Sequence, residues 1–354
     1  MPLPERVQAS YTTRHVAAAV AADSGRFHLV AGASVRPSAG DIVVARVTRV
    51  GNHKRVETTE SRRATLFEGH LVMLAYGNRY AADQFLAHVP ESLGPTHLVA
   101  AGGIAGTVTL QHARVSAPTE IEPLGLLADA EGVVDLTRFA PYRNVAPEPG
   151  ALQHRPPVIA VLGTSMNSGK STAMANLING LAKSGRTVTA GKITGTGAGN
   201  DPHAYRDAGA ARVLDFTDFG YPTTFKADME AVRSLTANLV AALTDSRTDV
   251  VVVEIADGIY QEETARLLRD ELFQATVDGI VFAATDALGT LAGVQALQAA
   301  GLDVLAVSGV VTSSPLATAE AREVLLRHDV PVIDTFGLAE PVAAVEVLES
   351  RRGA

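Results

Sequence analysis

The chain has 354 residues, 47% hydrophobic and 19% charged, which is enough apolar material for a sizeable core and too much for a disordered chain. It has no cysteine, so disulfides, thiolate metal sites and cysteine nucleophiles are excluded. The net charge is −8, with 14 basic and 14 acidic residues before position 151 and 16 and 24 after it. Neither half is basic, so a general binder of nucleic acid or of an anionic membrane is not expected.

The N-terminal stretch "MPLPERVQASYTTRHVAAAVAADSG" lacks the basic region, apolar core and cleavage site of a signal peptide. No apolar run reaches the roughly 18–20 residues that span a bilayer. A cytoplasmic protein without membrane association is the expectation.

Residues 41–50 ("DIVVARVTRV"), 70–77, 97–103 and 106–115 alternate in the manner of strands, with Gly or Pro between them. The opening "GDIVVARVTRVG" suits an oligonucleotide-binding- or SH3-like barrel, but many small β-barrels begin so, and a generic β-rich domain is favoured. Near it "YGNRYAADQFLAHVP" carries Arg79, Asp83 and His88. Either it is a structural hairpin and helix, or Arg79 faces an anionic substrate. The seven histidines before residue 150 show no metal-ligand spacing.

Five prolines in "APYRNVAPEPGALQHRPP" (140–157) mark a linker. The expected organisation is a β-rich domain over 1–145, barrel-like or not and serving substrate recognition, a linker over 146–157 and an α/β domain over 158–354. In the last, apolar strand candidates at 158–163, 187–193, 211–216, 249–256, 279–285, 304–311 and 331–335 are separated by helical stretches at 170–184, 226–245, 261–275, 287–300, 315–328 and 339–350. The fold class is therefore α/β, a doubly wound, mostly parallel sheet covered on both faces and preceded by a smaller β-rich domain.

"GTSMNSGKST" (163–172) ends the first of these strands and opens a helix. That is the context of a phosphate-binding loop, whose amides and helix dipole face the anion. The usual spacing is G-x-x-x-x-G-K-[ST]; here Gly163 is one residue further from Gly169, Lys170 and Ser171. Gly163, Thr164, Asn167, Ser168, Gly169, Lys170, Ser171 and Thr172 form the expected cofactor-binding loop. Lys170 would neutralise β/γ-phosphate charge and Ser171 ligate Mg²⁺.

The G-T-x-x-x-x-G-K-[ST] form resembles the loop of dethiobiotin synthetase and of the cobyrinic and cobyric acid amide-forming synthetases, which are P-loop NTPases. The likeness extends to "AGKITGTG", with Lys192, Thr194 and Thr196 where that family has a lysine followed by small and hydroxyl residues. It extends also to "VVVVEIADG", where Glu254 stands for the family's metal-holding acid. Ile255 and Asp257 depart from its small residues. A broader likeness is to a two-domain P-loop family with an unrelated N-terminal domain, some relatives of which are regarded as amino-acid N-acyltransferases.

The resemblance implies ATP and Mg²⁺, with Ser171 and Glu254 on the metal. Asp201, before Pro202, is a third ligand or an ordinary helix cap; Asp215 and Asp218 are alternates. Lys192, at a strand's carboxyl end, faces the crevice where such sheets bind ligands and would stabilise a phosphoryl group in flight. With Lys170 and Glu254 it makes the expected catalytic set. Thr194, Thr196, Asp257 and Arg79 are substrate candidates. Thr312 and Ser313 stand where relatives contact adenine.

The expected activity is an ATP- and Mg²⁺-dependent ligase, activating a small-molecule carboxylate or carbamate for attack by an amine, and the expected assembly is a homodimer. A regulatory or assembly NTPase is the first alternative. A coenzyme-A-dependent acyltransferase holding the cofactor diphosphate in the loop is the second.

Overall fold

The computed structural model describes residues 1–147 and 155–350, so most of the expected linker, 148–154, lies outside the described residues. The chain divides into two compact units. The first comprises 1–143 together with two excursions from the second half, 196–200 and 216–226; the second holds the remaining described residues.

The first unit is built on strands that close on themselves. Leu71–Tyr76 pairs with Ile42–Arg49, which pairs with Thr119–Asp129; that strand pairs with Thr96–Ala100, which pairs with Ile104–Gln111. Ile104 and Ala105 then pair in parallel with Ala75 and Tyr76, completing a five-stranded ring. Alternation explains how residues 42–45 are buried on both faces. Val43, Ala45 and Val47 point into one apolar cluster with Val72, Leu74, Tyr76, Leu98 and Ile121. Ile42 and Val44 point into another with Met73, Ala75, Leu127 and Val16, the last from helix Arg14–Ala22.

The longest strand, 119–129, is absent from the sequence reading because Pro123 and Gly125 break its pattern. The register shifts between these two residues as a bulge. Gly125 also lies where strand His28–Val30 crosses, and a Cβ there would stand 2.9 Å from the Leu29 Cβ. Within this unit the 216–226 segment is held by Arg14, which donates to Thr217 Oγ1 at 2.7 Å and pairs with Asp218. Phe219 stacks on Tyr142.

The second unit is an α/β sheet of six strands: β1 (Val158–Gly163), β2 (Val188–Lys192), β3 (Arg212–Asp215), β4 (Val250–Glu254), β5 (Gly279–Ala283) and β6 (Val304–Ser308). They lie in the order β3-β2-β4-β1-β5-β6, and every pairing is parallel. β1, β4 and β5 are buried throughout, which accounts for their unbroken apolar runs.

The helix after β1, Lys170–Lys183, buries Ala173, Met174, Leu177, Ile178 and Leu181 on one face and ends at Gly185, whose φ is 87°. Two expected elements differ. Residues 331–335 form no strand: only Val332 bridges, to Val307. The 261–275 stretch is two short helices, Glu262–Leu267 and Glu271–Thr276, because Asp270 accepts from Leu272 N and Phe273 N and starts a new helix there. Among the described residues no helix is long and apolar enough to cross a membrane.

Candidate functional site

The loop between β1 and its helix is held from below by backbone contacts. Thr164 N donates to Ala283 O at 3.0 Å, Ile259 N to Gly163 O at 3.2 Å and Val310 N to Ser168 O at 3.0 Å. Three exits at the carboxyl edge of the sheet thus fix the loop's shape. Glycine permits this approach: a Cβ at Gly258 would lie 2.4 Å from Thr164 O, and one at Gly309 2.4 Å from Ser168 O.

Asn167 adopts a positive φ of 64° and Gly169 one of 96°. Gly169 is the N-cap and supplies no side-chain cap to the first turn. A helix start whose N-cap has no side chain to offer the first-turn amides, and which carries the dipole's positive end, is suited to an anion. Ser165 and Asn167 are exposed at the loop's crest, whereas Lys170 is buried and its Nζ donates to Ser165 O at 2.8 Å. Burial pushes the Lys170 ammonium below its ordinary value, opposed by the charges of Glu254 and Asp257. A phosphate beside Lys170 would favour its charged form and offset the cost of its desolvation.

Beside the loop, Lys192 and Glu254 end adjacent parallel strands in register. The Lys192 ammonium lies 3.0 Å from Glu254 Oε1 and also bonds Asp201 Oδ2. Ser171 Oγ donates to Glu254 Oε2 at 2.9 Å, and the Tyr205 hydroxyl donates to the same oxygen. Glu254 is 1% exposed. Its burial alone would raise its pKa, but Lys192, then Lys170, hold the carboxyl well below the usual range. Lys192 is likewise held above the ordinary lysine value: burial acts against the charge, and Glu254 and Asp201 outweigh it. Burial and the Glu254 charge keep the Tyr205 phenol protonated.

The structure thus unites Lys170, Ser171, Lys192, Asp201 and Glu254 around one partly buried network centred on the Glu254 carboxylate. Asp201, read as either a third metal ligand or a helix cap, bonds the Lys192 ammonium. Asp257 follows β4 near enough to act on Lys170 electrostatically. Thr194 is turned inward, its Oγ1 donating to Ala256 O at 2.6 Å, and Thr172 is exposed on the helix's first turn. Thr312 is buried, with its hydroxyl donating to Gly309 O at 2.9 Å and lying 3.0 Å from Thr335 Oγ1; Ser313 Oγ donates to Val310 O. The Ser313 hydroxyl serves its own turn, and that of Thr312 also ties the turn to Thr335.

Of the alternates, Asp215 is buried in register with Lys192, and Asp218 pairs with Arg14 in the first unit. Thr196 and Arg79 also belong to the first unit. Tyr205 is the residue the sequence reading missed. Its signal is the spacing Asp201–Tyr205, four apart on helix Asn200–Asp207 and so on one face.

No group of three or more His, Asp or Glu side chains among the described residues is arranged to hold a metal ion by itself. The hydroxyl of Ser171 beside the carboxylate of Glu254 is nevertheless the hard-oxygen pair that Mg²⁺ uses when phosphates and waters complete its shell.

Strand, glycine-bearing loop and helix make this the phosphate-loop architecture of α/β proteins. No protein-family model and no curated protein matches the chain. Solved structures with similar folds include a nucleotide-binding protein from Archaeoglobus fulgidus in complex with ADP, at 15% identity and a TM-score of 0.38, covering 53% of this chain and 87% of that one. Another is the signal recognition particle receptor FtsY from Elizabethkingia anophelis in complex with GDP, at 16% and 0.36, covering 61% and 68%. A third is the septum site-determining protein MinD from Pyrococcus horikoshii OT3 with Mg-ADP, at 15% and 0.34, covering 55% and 94%. Likenesses this distant say nothing about what this chain binds.

Proposed function

We propose that the chain binds a nucleoside triphosphate in the 163–172 loop and works as an ATP- and Mg²⁺-dependent ligase on a small-molecule carboxylate or carbamate. ATP supplies the phosphoryl group that turns the carboxylate into an acyl phosphate, which an amine then attacks with release of phosphate. The loop amides and Lys170 bind and orient the polyphosphate, and Ser171 with Glu254 would hold the ion. Lys192, fixed by Glu254 and Asp201, places a permanent positive charge beside the loop, where charge on a moving phosphoryl group needs it.

One observation carries this reading. The network joins the hydroxyl that follows Lys170 to a second, largely buried lysine through a single carboxylate. Nucleotide binding alone asks for the loop; a second lysine held rigidly beside it supports transfer.

The test is to incubate the full chain with ATP and Mg²⁺, with and without pooled carboxylates and amines, and to measure ADP. ADP that appears only with an acceptor supports the ligase. Equal ADP without one speaks for a simple NTPase. Stabilisation by acetyl-coenzyme A with none by ATP·Mg²⁺ speaks for an acyltransferase.

A further inference from the structure

Within the first unit lies a recess of about 550 Å³ with an unbalanced charge. One wall is the hairpin of strands Arg55–Glu57 and Arg63–Thr65, in which Arg55 faces Thr65 and Glu57 faces Arg63. Val56 and Ala64 go to the apolar core, so alternation turns Arg55, Glu57 and Arg63 to the opposite face. Lys54 adds a cation at the hairpin's start. Deeper in, the buried Arg79 donates to Gln84 Oε1 at 3.0 Å and approaches His53 Nε2 at 3.4 Å.

The other wall is the excursion 196–200. It approaches so closely that a Cβ at Gly102 would lie 1.9 Å from Gly197 O, and one at Gly199 1.6 Å from Ser61 Oγ. That approach also uses the one carboxylate among the described lining residues, since Glu57 Oε2 accepts from Gly199 N at 2.8 Å.

Lys54, Arg55, Arg63 and Arg79 therefore line one recess, in which Glu57 is the one acidic residue among the described lining residues. Lys54, Arg55 and Arg63 enter no ion pair among the described residues. His53 adds no charge near neutral pH, because burial and the Arg79 charge lower it to about 4. Like charges gathered around a recess repel one another and raise the local concentration of anions. The volume suits a metabolite, and the guanidinium groups suit carboxylate or phosphate oxygens.

We propose that this recess binds a small-molecule oxyanion, a carboxylate or phosphate ester of metabolite size, through Lys54, Arg55, Arg63 and Arg79. The binding stands independently of the ligase reading above.

The test is calorimetric titration of the full chain with succinate, glutarate, inorganic phosphate and 3-phosphoglycerate at low ionic strength. Saturable single-site binding of either series is expected, and the series that binds identifies the oxyanion. It should weaken about tenfold or more in Arg55→Glu/Arg63→Glu. It should persist in Arg46→Glu/Arg114→Glu, which changes net charge equally on surface residues outside the recess, and in Lys170→Ala. No saturable binding by any of the four would overturn the proposal, as would equal loss in both double variants. Loss in Lys170→Ala would assign the anion to the phosphate loop instead. Oxyanion binding that survives while no nucleotide binds would leave this site standing and end the ligase reading.

Discussion

Glu254 is an ionised carboxylate with almost no exposure, and it stays so because Lys192, Ser171 and Tyr205 all donate to it. Without the Glu254 charge, Lys192 keeps its ion pair with Asp201 but loses the buried carboxylate that joins it to Ser171. Glu254→Gln should lower turnover about 100-fold or more, with the circular dichroism of the fold retained; steady-state ADP release reads this. Tyr205→Phe removes one hydrogen bond to a charge. It should cost about 1.5–3 kcal/mol in a urea melt.

The pH dependence follows from the direction of the Glu254 shift. Its folded value is depressed below the ordinary 4.5, so its contribution is complete above 4.5 and is lost as pH falls below that toward the folded value. Acid melts should show wild-type stability falling more steeply below about pH 4.5 than that of Glu254→Gln. Equal slopes would mean that Glu254 is not the charge anchoring the network. At this scale Lys170, Ser171, Lys192 and Glu254 were legible as chemistry-bearing types at strand and helix ends. That Asp201 serves Lys192 was not, because a capping Asp and a salt-bridging Asp look alike in one dimension.

At the scale of elements, the loop's geometry is imposed by glycines outside it. Gly309 has a φ of 94°, and a Cβ there would lie 2.4 Å from the Ser168 carbonyl oxygen. Gly309→Ala is expected to cost about 1–3 kcal/mol of stability and to weaken nucleotide binding about tenfold, as loop backbone and ligand donors shift together. A variant that melts early yet binds normally would show that the loop keeps its shape without this support.

The parallel strands and the helix after β1 were readable because burial on both faces leaves long apolar runs and a 3.6-residue stripe. The second half of 261–275 was not: Asp270, inside a stretch read as a single helix, starts a new one. Residues 331–335 look like a strand, yet Thr335 is turned to the hydroxyl of Thr312, its N donating there at 3.1 Å.

At the scale of the whole chain, the first unit's ring depends on parallel pairing of residues 104–105 with 75–76. No local pattern announces that closure, which is why a generic β-rich domain was the favoured expectation. Leu74, unexposed in the ring's apolar cluster, should tolerate truncation poorly. Leu74→Ala is expected to cost about 2–5 kcal/mol, measured by chemical unfolding. The same holds for the assignment of chain to unit: 196–200 and 216–226 fall inside the α/β half by sequence but belong to the first unit.

All the proposed chemistry presupposes that backbone amides and an ammonium, where β1 gives way to its helix, grip a polyphosphate. Isothermal calorimetry of the full chain against ATP·Mg²⁺, alongside Lys170→Ala, tests this most directly. Saturable heat with one site per chain, abolished or weakened by about 100-fold or more in the variant, is the expected result. Absence of heat with ATP, GTP and acetyl-coenzyme A alike, or equal binding by Lys170→Ala, would contradict it.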